Sequence, residues 1–137
     1  MFWNGRGKKI ESFETVVLGI TGMRQSSVYE IKQNGGEAEI TEYLRVCREG
    51  GGTELVPKKT AKRSAEEVVE ALNGFRLPEW NGFHGAHPRG VKDGTMFELR
   101  AEVNGGERIF AEGSQNFPKH YRELCDWFYT VLHENKE

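Results

Sequence analysis

Apolar and polar residues alternate along several stretches of the chain, and this alternation predicts a sheet with one buried face. The clearest stretch is 96–103, MFELRAEV, where every second residue is apolar: Phe97, Leu99, Ala101 and Val103. A period of two residues is typical of a half-buried strand. Residues 107–113 continue the pattern after an Asn-Gly-Gly turn at 104–106, and residues 27–33 and 37–46 flank the same turn string at 34–36. We therefore expect two β-hairpins.

Three further elements follow from local signals. Residues 13–20, FETVVLGI, are β-branched and apolar and predict a strand, and TELVP at 53–57 predicts a short edge strand. Ser64 with Glu67 three residues later is a capping box, which predicts a helix from Ser64 to a left-handed glycine at Gly74. A broad apolar stripe predicts a second helix over 118–133, with Pro118 at its first position.

These elements predict an α+β fold: an antiparallel sheet of about five strands with two helices packed on one face. A chain of 137 residues fits a single domain, here taken as 1–137, which buries enough surface to fold without a disulfide or metal. The other face of the sheet is then a surface for a partner. On alternation alone we assign to it Tyr29, Tyr43, Arg45, Arg100 and Glu102.

Charge and composition narrow the classes of partner. The net charge of −2 argues against a nucleic-acid binder, and the basic run PKKTAKR at 57–63 has no interleaved aromatic residue, so we interpret it as a solvated linker. Cys47 and Cys125 lack a metal-binding or redox spacing, and both are expected to be reduced. No cofactor is predicted. The N-terminal residues do not resemble a signal peptide, and we expect a cytoplasmic protein without a membrane span.

The connection EWNGFHGAHPRGVKDGT, residues 79–95, concentrates candidate chemistry. His84 and His87 in a glycine-rich loop, with Asp93, are a candidate metal pair or acid–base pair, since imidazole and carboxylate suit both tasks. The alternative is a pair of solvent-exposed or hydrogen-bonded loop histidines. Trp80 either lines a ligand pocket or plugs the end of the core, and in the second case its truncation costs roughly 3–5 kcal/mol.

A second candidate site precedes the last helix. Asn116, Lys119 and His120 lie at its expected N-terminus, where backbone N–H groups and positive side chains favour an anion. The alternative is that Asn116 or Ser114 caps the helix. Ser114, His120 and Asp126 lack a nucleophile elbow, so they do not predict a catalytic triad.

The segment 64–134 resembles uncharacterised small α+β proteins of Gram-positive gut anaerobes. The shared pattern is Trp-x-Gly-Phe, Asp-Gly, two strands around a glycine turn, Gly-x-Asn-x-Phe-Pro and a helix. It falls here on Trp80, Gly82, Phe83, Asp93, Gly94, Gly113, Asn116, Phe117 and Pro118. The resemblance implies a bacterial protein with an antiparallel α+β unit, and it carries no activity.

Three hypotheses of function remain, the third of which is an anion or nucleotide binder that uses residues 113–122. The first is a non-enzymatic binding or protein-interaction module, with a protein partner or a second copy of the chain. The second is a small metal-dependent or acid–base hydrolase centred on His84 and His87. The hydrolase needs a concave pocket in which those side chains converge, whereas the interaction module needs a flat apolar or aromatic patch.

Overall fold

The structure, a computed structural model, describes residues 9–22, 26–90 and 94–134. Within these residues, seven strands form one sheet in the order β4-β3-β2-β1-β6-β7-β5. All neighbours are antiparallel except β5 and β7, which are parallel. The strands are β1 (Phe13–Thr21), β2 (Ser26–Asn34), β3 (Glu37–Cys47), β4 (Thr53–Ser64), β5 (His84–Gly85), β6 (Met96–Val103) and β7 (Glu107–Ser114). The helices are α1 (Ala65–Gly74) and α2 (Tyr121–His133), with a 3₁₀ turn at Leu77–Trp80.

The α+β class and both predicted hairpins, β2–β3 and β6–β7, are confirmed, but the sheet is larger than the five strands expected. β4 runs through the whole basic stretch that we interpreted as a linker, paired with β3 from Thr53 to Ser64. Because β4 lies at the sheet edge, nearly all of its side chains are exposed, and Ala61 alone is buried. An edge strand of this kind has no apolar alternation for a sequence to reveal.

One face of the sheet packs against both helices. Val16 and Leu18 of β1 and Leu99 of β6 are fully buried there, in the same apolar cluster as Val68 of α1 and Leu124 of α2. At roughly 1.5–3 kcal/mol for each large apolar side chain removed from water, this cluster is the main source of stability.

Tyr29 also belongs to the helix-covered face, so its assignment to the exposed face was wrong. It lies opposite Leu18 in the β1–β2 register, and its ring stacks on Phe128 of α2 with centroids 4.9 Å apart. The aromatic rings of α2 thus determine which side of β2 is covered. Burial raises the pKa of Tyr29, and the nearby Glu42 carboxylate raises it further.

The helix starts and ends match the expectations only in part. Ser64 caps α1 as predicted, accepting a hydrogen bond from the Glu67 backbone N–H at 3.1 Å. The left-handed residue after α1 is Arg76 (φ 57°) instead of Gly74, and the buried Phe75 between them keeps a right-handed backbone. α2 begins at Tyr121, three residues later than predicted, since His120 has a φ of 70° and interrupts the helix.

Candidate functional site

The face of the sheet opposite the helices, here called the open face, carries the candidate site. Arg100 of β6 lies on it, with its guanidinium 5.6 Å from the ring centroid of Phe110 on β7. Tyr43 of β3 also lies on it and donates a hydrogen bond to the Glu30 carboxylate at 3.1 Å. Burial and this hydrogen bond raise the pKa of Tyr43.

The strand register arranges two rows of side chains across one end of the open face. Neighbouring strands place residues directly opposite each other, so a row crosses the sheet perpendicular to the strands. The end row consists of Arg45, Ser26, Thr21, Met96 and Ser114. The second row, one step inward, consists of Tyr43, Val28, Gly19, Glu98, Glu112 and His84.

A pocket of about 390 Å³ lies over these two rows and extends to the loop that follows β5. Its floor includes Gly19, where the second row lacks a side chain. Apart from the two chain neighbours, no atom of the described residues lies within 4 Å of the position that a Cβ would take there. Arg45, Glu98, Glu112 and both loop histidines line it. The volume is within the range of about 300–1,000 Å³ found for small-molecule sites.

His84 and His87 both face this pocket, each held by a different residue of β7. His84 Nδ1 lies 3.1 Å from Glu112 Oε2, and His87 Nδ1 lies 2.7 Å from Ser114 Oγ. Glu112 and Ser114 are two residues apart on one strand, so their side chains project from the same face. The parallel pairing of β5 with β7 brings the histidines beside them.

Two glycines allow the histidine loop to approach so closely. A Cβ on Gly85 would lie 2.5 Å, and one on Gly113 2.1 Å, from the backbone oxygen of Asn116. The Asn116 side chain also donates a hydrogen bond to the Ala86 backbone oxygen at 3.2 Å. Asn116 therefore ties the segment after β7 to the loop. It does not cap α2, which has no side-chain cap.

Three of the remaining predicted site residues, Trp80, Lys119 and His120, lie away from the pocket. Trp80 is 2% exposed, on the helix side of the sheet, and its ring meets those of Phe97 and Tyr121 at centroid distances of 6.4 and 6.3 Å. His120 Nδ1 lies 2.6 Å from Glu123 Oε1 at the start of α2, and Lys119 beside it is exposed. Asp93 lies outside the described residues.

Sequence reasoning thus located the two histidines and placed Arg45 on the open face, but it missed Gly19, Glu98 and Glu112 and considered Ser114 only as a helix cap or triad member. Alternation in β7 already places Glu112 and Ser114 on one face. The missing signal was the pairing of β5, since a two-residue strand has no periodicity.

A metal centre is not supported among residues 9–22, 26–90 and 94–134, where no three His, Cys, Asp or Glu side chains are grouped to hold an ion. No helix in the same residues is both long and apolar enough to cross a membrane. The chain matches no family model, no curated protein and no solved structure, so the resemblance described above stays a prediction.

Proposed function

We propose that this protein is a non-enzymatic binding module that holds a small polar ligand in the pocket on the open face. The observation that carries the proposal is the pocket itself, built over the gap at Gly19. A glycine inside a strand weakens the sheet and often marks a place where another molecule approaches the backbone. β1 is a central strand, with β2 and β6 on either side, so this gap opens in the middle of the sheet.

The shape and chemistry of the pocket favour a small ligand over a flat protein-docking patch. It is concave, and its lining mixes one guanidinium, two carboxylates, two imidazoles and two hydroxyls with the apolar Met96. A few polar groups that converge on one cavity are typical of small-molecule sites, whereas docking patches are flatter and more apolar. A protein partner and a homodimer are separate predictions. The molar mass of the purified chain, measured by light scattering, would test the homodimer.

The proposal is tested by filling the gap. Gly19→Val adds a side chain that points into the pocket, at a position without a positive φ and with open space around it. Thr15→Val is the matched control, since Thr15 lies four residues away on the same strand and on the same face. We expect a fragment screen by saturation-transfer NMR to find polar ligands that bind wild type and Thr15→Val but not Gly19→Val.

Two results would overturn this function. The first is the absence of any ligand for the wild-type protein. The second is a set of ligands that Gly19→Val binds as well as wild type does. Equal urea midpoints of the two valine variants exclude loss of the fold as the reason for lost binding.

A second function, an acid–base hydrolase, is favoured by the hydrogen bond of 2.7 Å between His87 Nδ1 and Ser114 Oγ. In this function His87 accepts the Ser114 proton while Oγ attacks an ester carbonyl, and His87 then gives that proton to the departing alkoxide. Water, deprotonated by the same imidazole, cleaves the acyl-serine and restores both groups.

A fluorophosphonate probe separates the two functions, because it labels serines that a neighbouring base activates. If the protein only binds its ligand, the probe should label Ser114 no more than it labels Ser26, another serine of the end row on the open face. Mass spectrometry would locate the label. Labelling of Ser114 that is lost in Ser114→Ala but kept in Ser26→Ala would establish the hydrolase and contradict the non-enzymatic proposal.

A further inference from the structure

We propose that the pocket binds a short zwitterionic peptide, of about two to four residues, with its carboxylate at Arg45 and its ammonium at Glu112. This inference rests on the proposed binding function and specifies its ligand class.

Arg45 supplies the anion-binding side. It is exposed, it lines the pocket, and its Nε lies 3.3 Å from the Ser26 hydroxyl. Within the described residues no carboxylate lies within 4 Å of its guanidinium. A guanidinium in this state still has its fork of N–H donors to offer, and that fork matches a carboxylate in a bidentate arrangement.

Glu98 and Glu112 supply the cation-binding side. They lie directly opposite each other on β6 and β7, an arrangement that is destabilising for like charges. Arg100 compensates Glu98, with its terminal nitrogen 2.5 Å from Oε2. Glu112 has His84 at 3.1 Å, and that contact is ionic only when the imidazole is protonated. A ligand ammonium beside Glu112 would relieve the repulsion between the two carboxylates.

The separation of the two sides sets the ligand length. Arg45 on β3 and Glu112 on β7 are four strands apart, which corresponds to roughly 19 Å between backbones at about 4.8 Å per strand. The Arg45 side chain shortens this distance, because its Nε reaches Ser26 on β2, whereas the Glu112 carboxylate lies beside His84 on the far side of β7. Each residue of an extended peptide spans at most about 3.5 Å, so a ligand of two to four residues bridges the distance that remains between the guanidinium and the carboxylate.

Free termini are the feature that this site would recognise. The stretch between the two charged sides is lined by Gly19, Thr21 and Met96, which offer one hydroxyl, one thioether and an open floor. These groups place little demand on the ligand's side chains. Affinity should therefore depend on the terminal charges far more than on the residues between them.

The test is calorimetric titration with trialanine, N-acetyl-trialanine and trialanine amide. We expect trialanine to bind in the micromolar to millimolar range and each capped peptide to bind at least tenfold more weakly. Arg45→Gln should weaken trialanine at least tenfold but have no further effect on the amide, which has already lost the carboxylate. Glu112→Gln should likewise weaken trialanine at least tenfold but have no further effect on N-acetyl-trialanine, which has already lost the ammonium.

Matched controls are available at the opposite end of the open face. Arg108 and Glu102 face each other on β7 and β6, outside the pocket, and Arg108→Gln and Glu102→Gln should leave trialanine binding unchanged. Equal affinity for capped and free peptides would overturn the ligand class, as would a failure to bind trialanine. If polar fragments still bind in a manner that Gly19→Val abolishes, the binding function survives that failure. If they do not, both proposals fall.

Discussion

Two glycines within strands line the same pocket, and replacing each with alanine should change the free energy of unfolding in opposite directions. At Gly113, a Cβ would lie 2.1 Å from the Asn116 backbone oxygen and 2.8 Å from Cε1 of Phe97. At Gly19, no atom in the described part of the chain, apart from the two neighbouring residues, lies within 4 Å of the added carbon. Neither glycine has a positive φ, so the comparison isolates the space around the new methyl group.

The cost at Gly113 follows from the displacement it requires. Carbon and oxygen atoms in contact are ordinarily about 3.3 Å apart, so the Asn116 carbonyl must retreat by roughly 1.2 Å. Such overpacking costs about 1–3 kcal/mol. The movement also stretches the hydrogen bond from Asn116 to the Ala86 oxygen, which is worth about 1 kcal/mol. We therefore expect Gly113→Ala to destabilise the protein by roughly 2–4 kcal/mol.

Gly19→Ala should stabilise the protein by about 0.4–1 kcal/mol, since alanine restricts the unfolded chain and meets no obstacle in the folded one. Urea unfolding followed by tryptophan fluorescence measures both variants. A Gly113→Ala protein within 0.5 kcal/mol of wild type would refute the close packing of residues 115–117 against β5 and β7. The explanation of how the histidine loop is held would then be wrong as well.

Three further predictions concern the core and the two thiols. Trp80→Ala should cost roughly 3–5 kcal/mol in urea unfolding, because the ring plugs the core, and a cost under 1 kcal/mol would contradict that role. Burial raises the pKa of the Cys125 thiol, so at pH 8 Ellman's reagent should react with exposed Cys47 well before Cys125, and equal rates would contradict this. Burial also raises the pKa of Tyr121 above its ordinary value of 10.0, which means that the unfolded chain loses this proton first. The urea midpoint should therefore fall as pH rises above about 10, and Tyr121→Phe should make the fall shallower; an unchanged slope would contradict the assignment to Tyr121.

The fold was predictable wherever a local signal decided it. The hairpins at 34–36 and 104–106 follow from Asn-Gly turns between alternating runs, and Ser64 begins α1 through its own side chain. These signals lie within a few residues of the structure they specify. The face of β2 that carries Tyr29 was not predictable in the same way, because a contact with Phe128, 99 positions along the chain, decides it.

The site was predictable only as far as His84, His87 and the place of Arg45 on the open face. Their partners depend on β5, a strand of two residues that is defined by its parallel pairing with β7. Gly19 is one glycine within an apolar run, and its gap becomes visible only when Val28 and Glu98 are known to flank it. Pockets of this kind arise from register, and register joins residues that are distant in sequence.

The central claim is that the pocket over Gly19 is where this protein binds its ligand. The most direct measurement is a ¹H–¹⁵N correlation spectrum of the labelled protein, titrated with the best polar fragment or with trialanine. We expect shift changes concentrated at residues 19–21, 45, 84–87, 96–98 and 112–114, which surround the pocket. Changes concentrated on α1 and α2, or none at millimolar ligand, would contradict it.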